Sequence, residues 1–203
     1  MERRKGYREL LTYQATTDRV TIANMTNHSY FNLDGHEAGS IEEQFLTIYA
    51  SSYMPMIDSE SIPTGMMEAV EGTPMDFRKE KAIGKDIGKE CSQLQFAGGY
   101  DHNFVLDKET NVFGLAAEAY SKKSGIAMKV FTTCPGIQFY SGNFLKDGAG
   151  KKGATYHFRQ GFCLETQYFP NAVNEQAFET PFLKPGEQYE EKTVYQFAVK
   201  KDR

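Results

Sequence analysis

Tryptophan is absent, and the 203 residues hold three cysteines, Cys91, Cys134 and Cys163, with no C-x-x-C spacing. Three unclustered thiols exclude a disulfide framework and suit buried thiols in a reducing, cytoplasmic setting. No apolar run approaches the ~18 residues of a membrane span, so no membrane partner is expected. The opening stretch MERRKGYREL lacks the apolar core of a secretory signal. Basic residues are also few: 23 Lys and Arg against 27 Asp and Glu leave a formal net charge of −4. Nucleic acid is therefore not an expected partner, because phosphate neutralisation needs clustered cations. The one basic cluster, Arg3, Arg4 and Lys5, is short and follows Glu2, as a solvated terminus would. Helical periodicity is missing too. No window of ten residues carries a 3.6-residue apolar stripe, and at most a short helical turn is expected around residues 81–88.

What the chain does have is Phe and Tyr, 15 and 12 of them, with 18 Gly and 7 Pro spread along its length. Apolar residues make up 40%, enough for one domain over residues 1–203 to build a core without staples. Residues 125–133, GIAMKVFTT, alternate: Ile126, Met128 and Val130 on one face, Ala127, Lys129 and Phe131 on the other. Residues 7–15, 19–24, 44–50, 113–120 and 193–199 are rich in Tyr, Phe, Val, Ile and Thr and also read as strands, with 103–107 and 161–166 as shorter ones. Turn dipeptides such as Asp34-Gly35 and Gly98-Gly99 punctuate the gaps. Short strands at regular spacing predict an all-β antiparallel sandwich or barrel. Residues 142–153, GNFLKDGAGKKG, form a polar, Gly-rich loop without the Gly-Lys-Ser/Thr of a phosphate loop.

Four positions stand out chemically. His28 sits in NMTNHSYFNL, a dense polar run among aromatics; if it is extended, His28, Tyr30 and Asn32 share a face. Such groups are costly to bury without partners, so the run is either a satisfied turn network or a site. Glu165, in GFCLETQYFPN, is a carboxylate inside an apolar strand. Desolvation would raise its pKa and make it a better base near neutral pH, unless alternation turns it outward to solvent. Asp101 follows Gly98-Gly99-Tyr100, where glycines let the backbone approach a neighbour closely, although an ordinary turn Asp reads the same way. Gln138, in CPGIQFYSGN, is an amide beside aromatics, equipment for gripping hydroxyls or simply an edge glutamine. His36 and His157 lie in polar segments and are expected to be exposed. No two histidines stand at ligand spacing, so no metal site is expected. No G-x-S-x-G elbow is present for serine catalysis.

Together these stretches resemble aldose 1-epimerases, the galactose mutarotases among them. The matching motifs run in family order from about Tyr7 to Phe197. They are NMTNHSYFNLDG, then YMPMIDSESIPTGMMEAVEGTPMDFRKEKAIG, GGYDHNFVLD, CPGIQFYSGNFL, GFCLETQYFPNAVN and LKPGEQYEEKTVYQF. The resemblance implies a large antiparallel β-sandwich, no cofactor and a small-molecule sugar, an aldohexose, as partner. It implies His28 as general acid, Glu165 as general base, and Asp101 and Gln138 as sugar contacts. Ser29 and Tyr30, beside His28, are implied to contribute to substrate binding.

In the implied reaction Glu165 takes the anomeric hydroxyl proton while His28 protonates the ring oxygen. The ring opens, the C1–C2 bond rotates, and reclosure yields the other anomer. The two side chains are expected to face one cleft, a sugar ring's width apart. Members of the family carry a substantial region before the first motif seen here, with early strands, an Asn-His-x-x-Gly-Gly type motif, and an Arg and a second His at the sugar site. The sandwich is therefore expected to be incomplete at its N-terminal side, with open sheet edges that invite self-association. The alternative reading is a catalytically impaired, carbohydrate-binding fragment.

Overall fold

The computed structural model describes residues 6–200. Fifteen strands among these residues form two main antiparallel sheets and two short ribbons. The six-stranded sheet runs, in order, β1 (Tyr7–Ala15), β15 (Tyr189–Val199), β9 (Ile126–Thr132), β8 (Gly114–Tyr120), β3 (Phe45–Ile48) and β6 (Lys81–Ala82). The five-stranded sheet runs β13 (Cys163–Gln167), β10 (Gly136–Tyr140), β7 (Asp101–Val105), β4 (Ser52–Tyr53) and β5 (Glu68–Ala69). The ribbons pair β11 (Gly148–Ala149) with β12 (Thr155–Tyr156), and β2 (Thr21–Ile22) with β14 (Phe182–Leu183).

One apolar cluster draws from both sheets. Leu46, Ile48, Met128, Val130 and Tyr195 come from the first sheet, and Phe104, Ile137, Phe139 and Leu164 from the second. This is the all-β sandwich that the alternation predicted, because each strand puts every second side chain on the inner face. In β9 the expected pattern is realised: Met128 and Val130 are buried and Lys129 is exposed.

Several boundaries differ. The strand expected at 19–24 shrinks to β2: Ala23 still donates to the Pro181 carbonyl beside β14, but Asn24 turns to the edge of β13 and bonds Tyr168. The strand expected from 193 begins at Tyr189 and pairs with β1 from Tyr189 to Phe197. β10 was not anticipated; Pro135, Gly136 and Gln138 obscure a strand of only five residues. The expected turn near 81–88 is a 3-10 turn, Ile83–Lys85, and a short helix, α1 (Ser92–Ala97), lies beyond it. The loop at 142–153 carries β11 and a turn whose Lys151 and Lys152 are exposed. The basic run Arg3, Arg4 and Lys5 lies outside the described residues.

The Gly98-Gly99 pair earns its place at the end of α1. Gly98 takes a left-handed conformation (φ 66°), and the Gly98 and Gly99 amides donate to Gln95 and Leu94 carbonyls, closing the helix. A Cβ on Gly99 would fall 2.3 Å from Asn143 Oδ1. Asn143 in turn donates to the Ala97 and Tyr100 carbonyls, which fixes where β7 starts and hence where Asp101 stands.

Candidate active site

The site is built on the outer face of the five-stranded sheet. Ile137 and Phe139 of β10 enter the core, so Gln138 and Tyr140 point the other way. In β13 Leu164 enters the core and Thr166 bonds Thr193 of the opposite sheet, which leaves Cys163, Glu165 and Gln167 on the outer face. In β7 the same alternation brings out Asp101 and Asn103. Register then aligns them: Gln138 lies opposite both Glu165 and Asn103, and Tyr140 opposite both Cys163 and Asp101. The Gln138 amide donates diagonally to Asp101 Oδ1 at 2.7 Å, while its own Oε1 is buried with no protein partner.

His28 arrives on a different segment. Residues 24–31 run along the free edge of β13 and are fastened at both ends. Asn24 acts like a strand residue through its side chain, its amide donating to the Tyr168 carbonyl (3.1 Å) and its Oδ1 accepting from the Tyr168 amide (2.9 Å). At the other end Phe31 and Phe162 exchange backbone hydrogen bonds. The two anchors bracket Glu165, so the arch between them lays His28 over it. His28 Nε2 is 3.4 Å from Glu165 Oε1, and His28 Nδ1 is 3.4 Å from Cys163 Sγ. The imidazole packs against Tyr30 (centroids 5.1 Å apart) and edge-on to Tyr140 (6.1 Å).

Glu165 does turn outward from the core, as alternation requires, yet the arch covers it and leaves its side chain 9% exposed. His28 is 51% exposed and forms the solvent side of the pair. Burial pushes the Glu165 carboxyl above the ordinary glutamate range; His28 pulls against this and the Asp101 charge adds to it. Asp101 is likewise raised by burial, opposed by the Gln138 hydrogen bond and by His28. The Tyr30 hydroxyl is pushed up to about 12, chiefly by burial, and so stays a neutral donor. Burial also drives the Cys163 thiol well up, with Glu165 and Asp101 reinforcing it, so the sulfur keeps its proton.

The structure thus brings together His28, Glu165, Asp101, Gln138 and Tyr30 from four separate stretches of chain. Two expectations need correction. His28 and Glu165 are in contact rather than a sugar ring apart. Asn32 does not share a face with His28 and Tyr30, because the chain turns after Phe31 and the Asn32 amide donates to the Gly39 and Gln160 carbonyls. Ser29 lines a neighbouring cavity of about 540 Å³ together with Tyr30, Phe31, His36, Tyr156 and Gln160. His36 is only half-exposed, bonded to the Tyr156 hydroxyl, whereas His157 is exposed beside Asp147. Tyr140, Cys163 and Asn24 were not anticipated; period two would have found Tyr140 from Gln138, and Cys163 from Glu165.

The aldose 1-epimerase family model matches residues 8–196. This chain belongs to the aldose 1-epimerase family. It is 43% identical over 192 residues to the galactose mutarotase of Rattus norvegicus, covering 94% of this chain and 54% of that protein. To the aldose 1-epimerase of Escherichia coli K12 it is 39% identical over 191 residues, covering 93% and 54%. An aldose epimerase homologue from C. elegans superposes with a TM-score of 0.84 at 30% identity, over 96% of this chain and 57% of the other. A galactose 1-epimerase from Lactobacillus acidophilus gives 0.80 at 29% identity, over 96% and 54%. The chain spans about half the length of these relatives. Among the described residues of this family member, no helix is long and apolar enough to cross a membrane.

The raised Glu165 carboxyl has a measurable consequence for stability. Its proton is held more tightly in the folded than in the unfolded chain. Below the ordinary glutamate value both states are protonated and nothing is lost. As pH rises through that value the unfolded chain ionises first, and folded stability falls until the folded value is passed. Glu165→Gln removes this loss, whereas Asp101, displaced in the same direction, acts in both proteins. The variant is expected to gain stability relative to the parent between acid and neutral pH, read as denaturant midpoints against pH. A difference that stays flat with pH, or shrinks as pH rises, would contradict the burial of Glu165.

Proposed function

We propose that this chain interconverts the α and β anomers of a free aldohexose, such as galactose or glucose, as a cofactor-independent isomerase. The observation that carries this is the 3.4 Å contact between His28 Nε2 and Glu165 Oε1. The anomeric hydroxyl and the ring oxygen of an aldose are bonded to the same carbon. An acid and a base in contact can therefore address both at once, where a pair a ring's width apart could not. Glu165, with its raised carboxyl, takes the hydroxyl proton, and protonated His28 gives one to the ring oxygen. The opened aldehyde rotates about C1–C2 and recloses with both transfers reversed. Asp101 and Gln138, on the same face of the sheet, are the groups that would hold other sugar hydroxyls, and Tyr30 and Tyr140 would give the ring apolar walls. Ser29, which lines a cavity together with Tyr30, contributes to substrate binding on this reading. A pure sugar binder needs no acid–base contact, so the catalytic reading is favoured over the impaired one. Polarimetry of freshly dissolved α-galactose tests it: the purified chain should speed the approach to equilibrium, and a rate equal to that of buffer alone would overturn the proposal.

The chain is further proposed to act as one domain in the cytoplasm, which its three free thiols support. Self-association through β1 is the partner reading. Among the described residues β1 pairs with β15 on one side only, and its Tyr7 and Leu10 are 63% and 61% exposed. Beside them lies a mostly apolar hollow of about 540 Å³ between Tyr7, Ile126, Phe197 and Val199. Two such edges pairing about a two-fold axis would satisfy their backbone groups and cover these side chains. Light scattering should report a dimer or larger species. A monodisperse monomer across a wide concentration range would refute this.

A further inference from the structure

We propose that His28, Cys163 and Glu165 form a binding site for a borderline-soft divalent cation of the zinc type, which blocks the acid–base pair rather than assisting it. Nitrogen, sulfur and carboxylate oxygen are the three donor types that zinc accepts from proteins, and the ligand atoms here all lie within 4.8 Å of one another. Cys163 and Glu165 stand two residues apart on β13, so a paired strand holds sulfur and oxygen on one face. His28 lies over both, its Nε2 3.4 Å from Glu165 and its Nδ1 3.4 Å from Cys163, so that one of the two nitrogens can serve as ligand, and it opens the site to solvent. Tetrahedral zinc, with bonds of roughly 2.0–2.3 Å, spaces its ligands roughly 3.3–3.7 Å apart, so closure needs at most about 1.5 Å of side-chain movement. The half-exposed imidazole can supply that by rotation. Mg²⁺ and Ca²⁺ are disfavoured, because hard cations take oxygen ligands and two of the three donors here are sulfur and imidazole nitrogen.

Binding breaks the Cys163 S–H bond, forms a metal–sulfur bond and releases the proton to solvent. The resulting thiolate and the Glu165 carboxylate together balance the two positive charges. One position remains for water, as in an open zinc site. The cation takes the lone pairs of Glu165 and His28 that proton transfer would use. That consequence rests on the function proposed above; the binding itself does not. The other histidine–carboxylate contacts, His36 with Glu37 and His157 with Asp147, are two-donor pairs without sulfur.

The test is a Co²⁺ titration of the whole chain, without sugar or thiol reductant. One equivalent should bind, with a thiolate-to-cobalt charge-transfer band. C163S and C163A should both lose the band, the alanine guarding against a buried hydroxyl that disturbs folding. C134S should keep it, since Cys134 has Glu191 beside it but no imidazole. E165Q should weaken binding by at least about tenfold. No thiolate band in the parent, or an unchanged band in both Cys163 variants, overturns the proposal. Zn²⁺ should then slow anomer interconversion, with galactose competing. A chain inactive in polarimetry that still shows the cobalt band would sink the proposed function and leave the metal site standing.

Discussion

Glu165→Gln is expected to lower kcat for anomer interconversion by roughly 10²–10⁴-fold while leaving KM close to the parent value. Glutamine keeps the shape of the side chain and can still hydrogen-bond the anomeric hydroxyl, so ground-state binding survives. What it lacks is a site for the proton. Without a base the hydroxyl must ionise as the ring opens, and His28 alone cannot complete a transfer that needs one proton given and one taken. The same substitution relieves a buried carboxylate, so the variant should be slower yet more stable at neutral pH. That opposition separates the assignment from mere damage: an unfolded or loosened site would lose activity and stability together. Polarimetry with single-variant kinetics decides it. Turnover within a few-fold of the parent would remove Glu165 from the reaction.

Phe139→Ala is expected to cost about 3–5 kcal/mol of folding stability. Phe139 is fully buried between the sheets, stacked on Tyr100 at 5.2 Å and meeting Phe77 edge-on at 5.4 Å. Truncation removes the transfer free energy of the ring and leaves a cavity that rigid paired strands cannot close. The urea midpoint should drop sharply with the slope nearly unchanged. The effect reaches the site as well, because Phe139 and Gln138 are successive residues on opposite faces of β10. A core that fails beneath Phe139 frees the register that holds Gln138 between Glu165 and Asn103. A loss under about 1 kcal/mol would mean that the sheets repack around the gap, against the expectation for a dense interior.

The class of fold was legible wherever alternation was clean. Residues 125–133 announced β9 by alternation, whereas 113–120 read as a strand without it, since Ala116–Ala117 and Ala119–Tyr120 are adjacent buried pairs around a bulge in β8. β10 was not legible. Its five residues are bordered by Pro135 and Ser141, and Gly136 has no side chain to show a face. A Cβ on Gly136 would lie 2.9 Å from Asn103 Nδ2, so the small residue serves packing between strands, a pairing that local sequence does not display. The grouping of His28, Cys163 and Glu165 was not legible for a related reason. Ligand spacing along the chain looks for donors one helical turn or one hairpin apart, whereas His28 and Cys163 are 135 residues apart and meet only because an arch follows the edge of β13.

By itself the sequence determined most of the longer strand-forming segments, the family, and the residue types able to exchange protons. These depend on local periodicity and on motifs that are contiguous in the chain. Tertiary structure alone decided that His28 touches Glu165 and that Cys163 joins them. It also decided that Glu165 is covered despite pointing away from the core. The physical reason is register: a strand shifted by one residue would send Glu165 inward and Leu164 outward. What fixes that register is the sum of hydrogen bonds and apolar contacts contributed by distant strands.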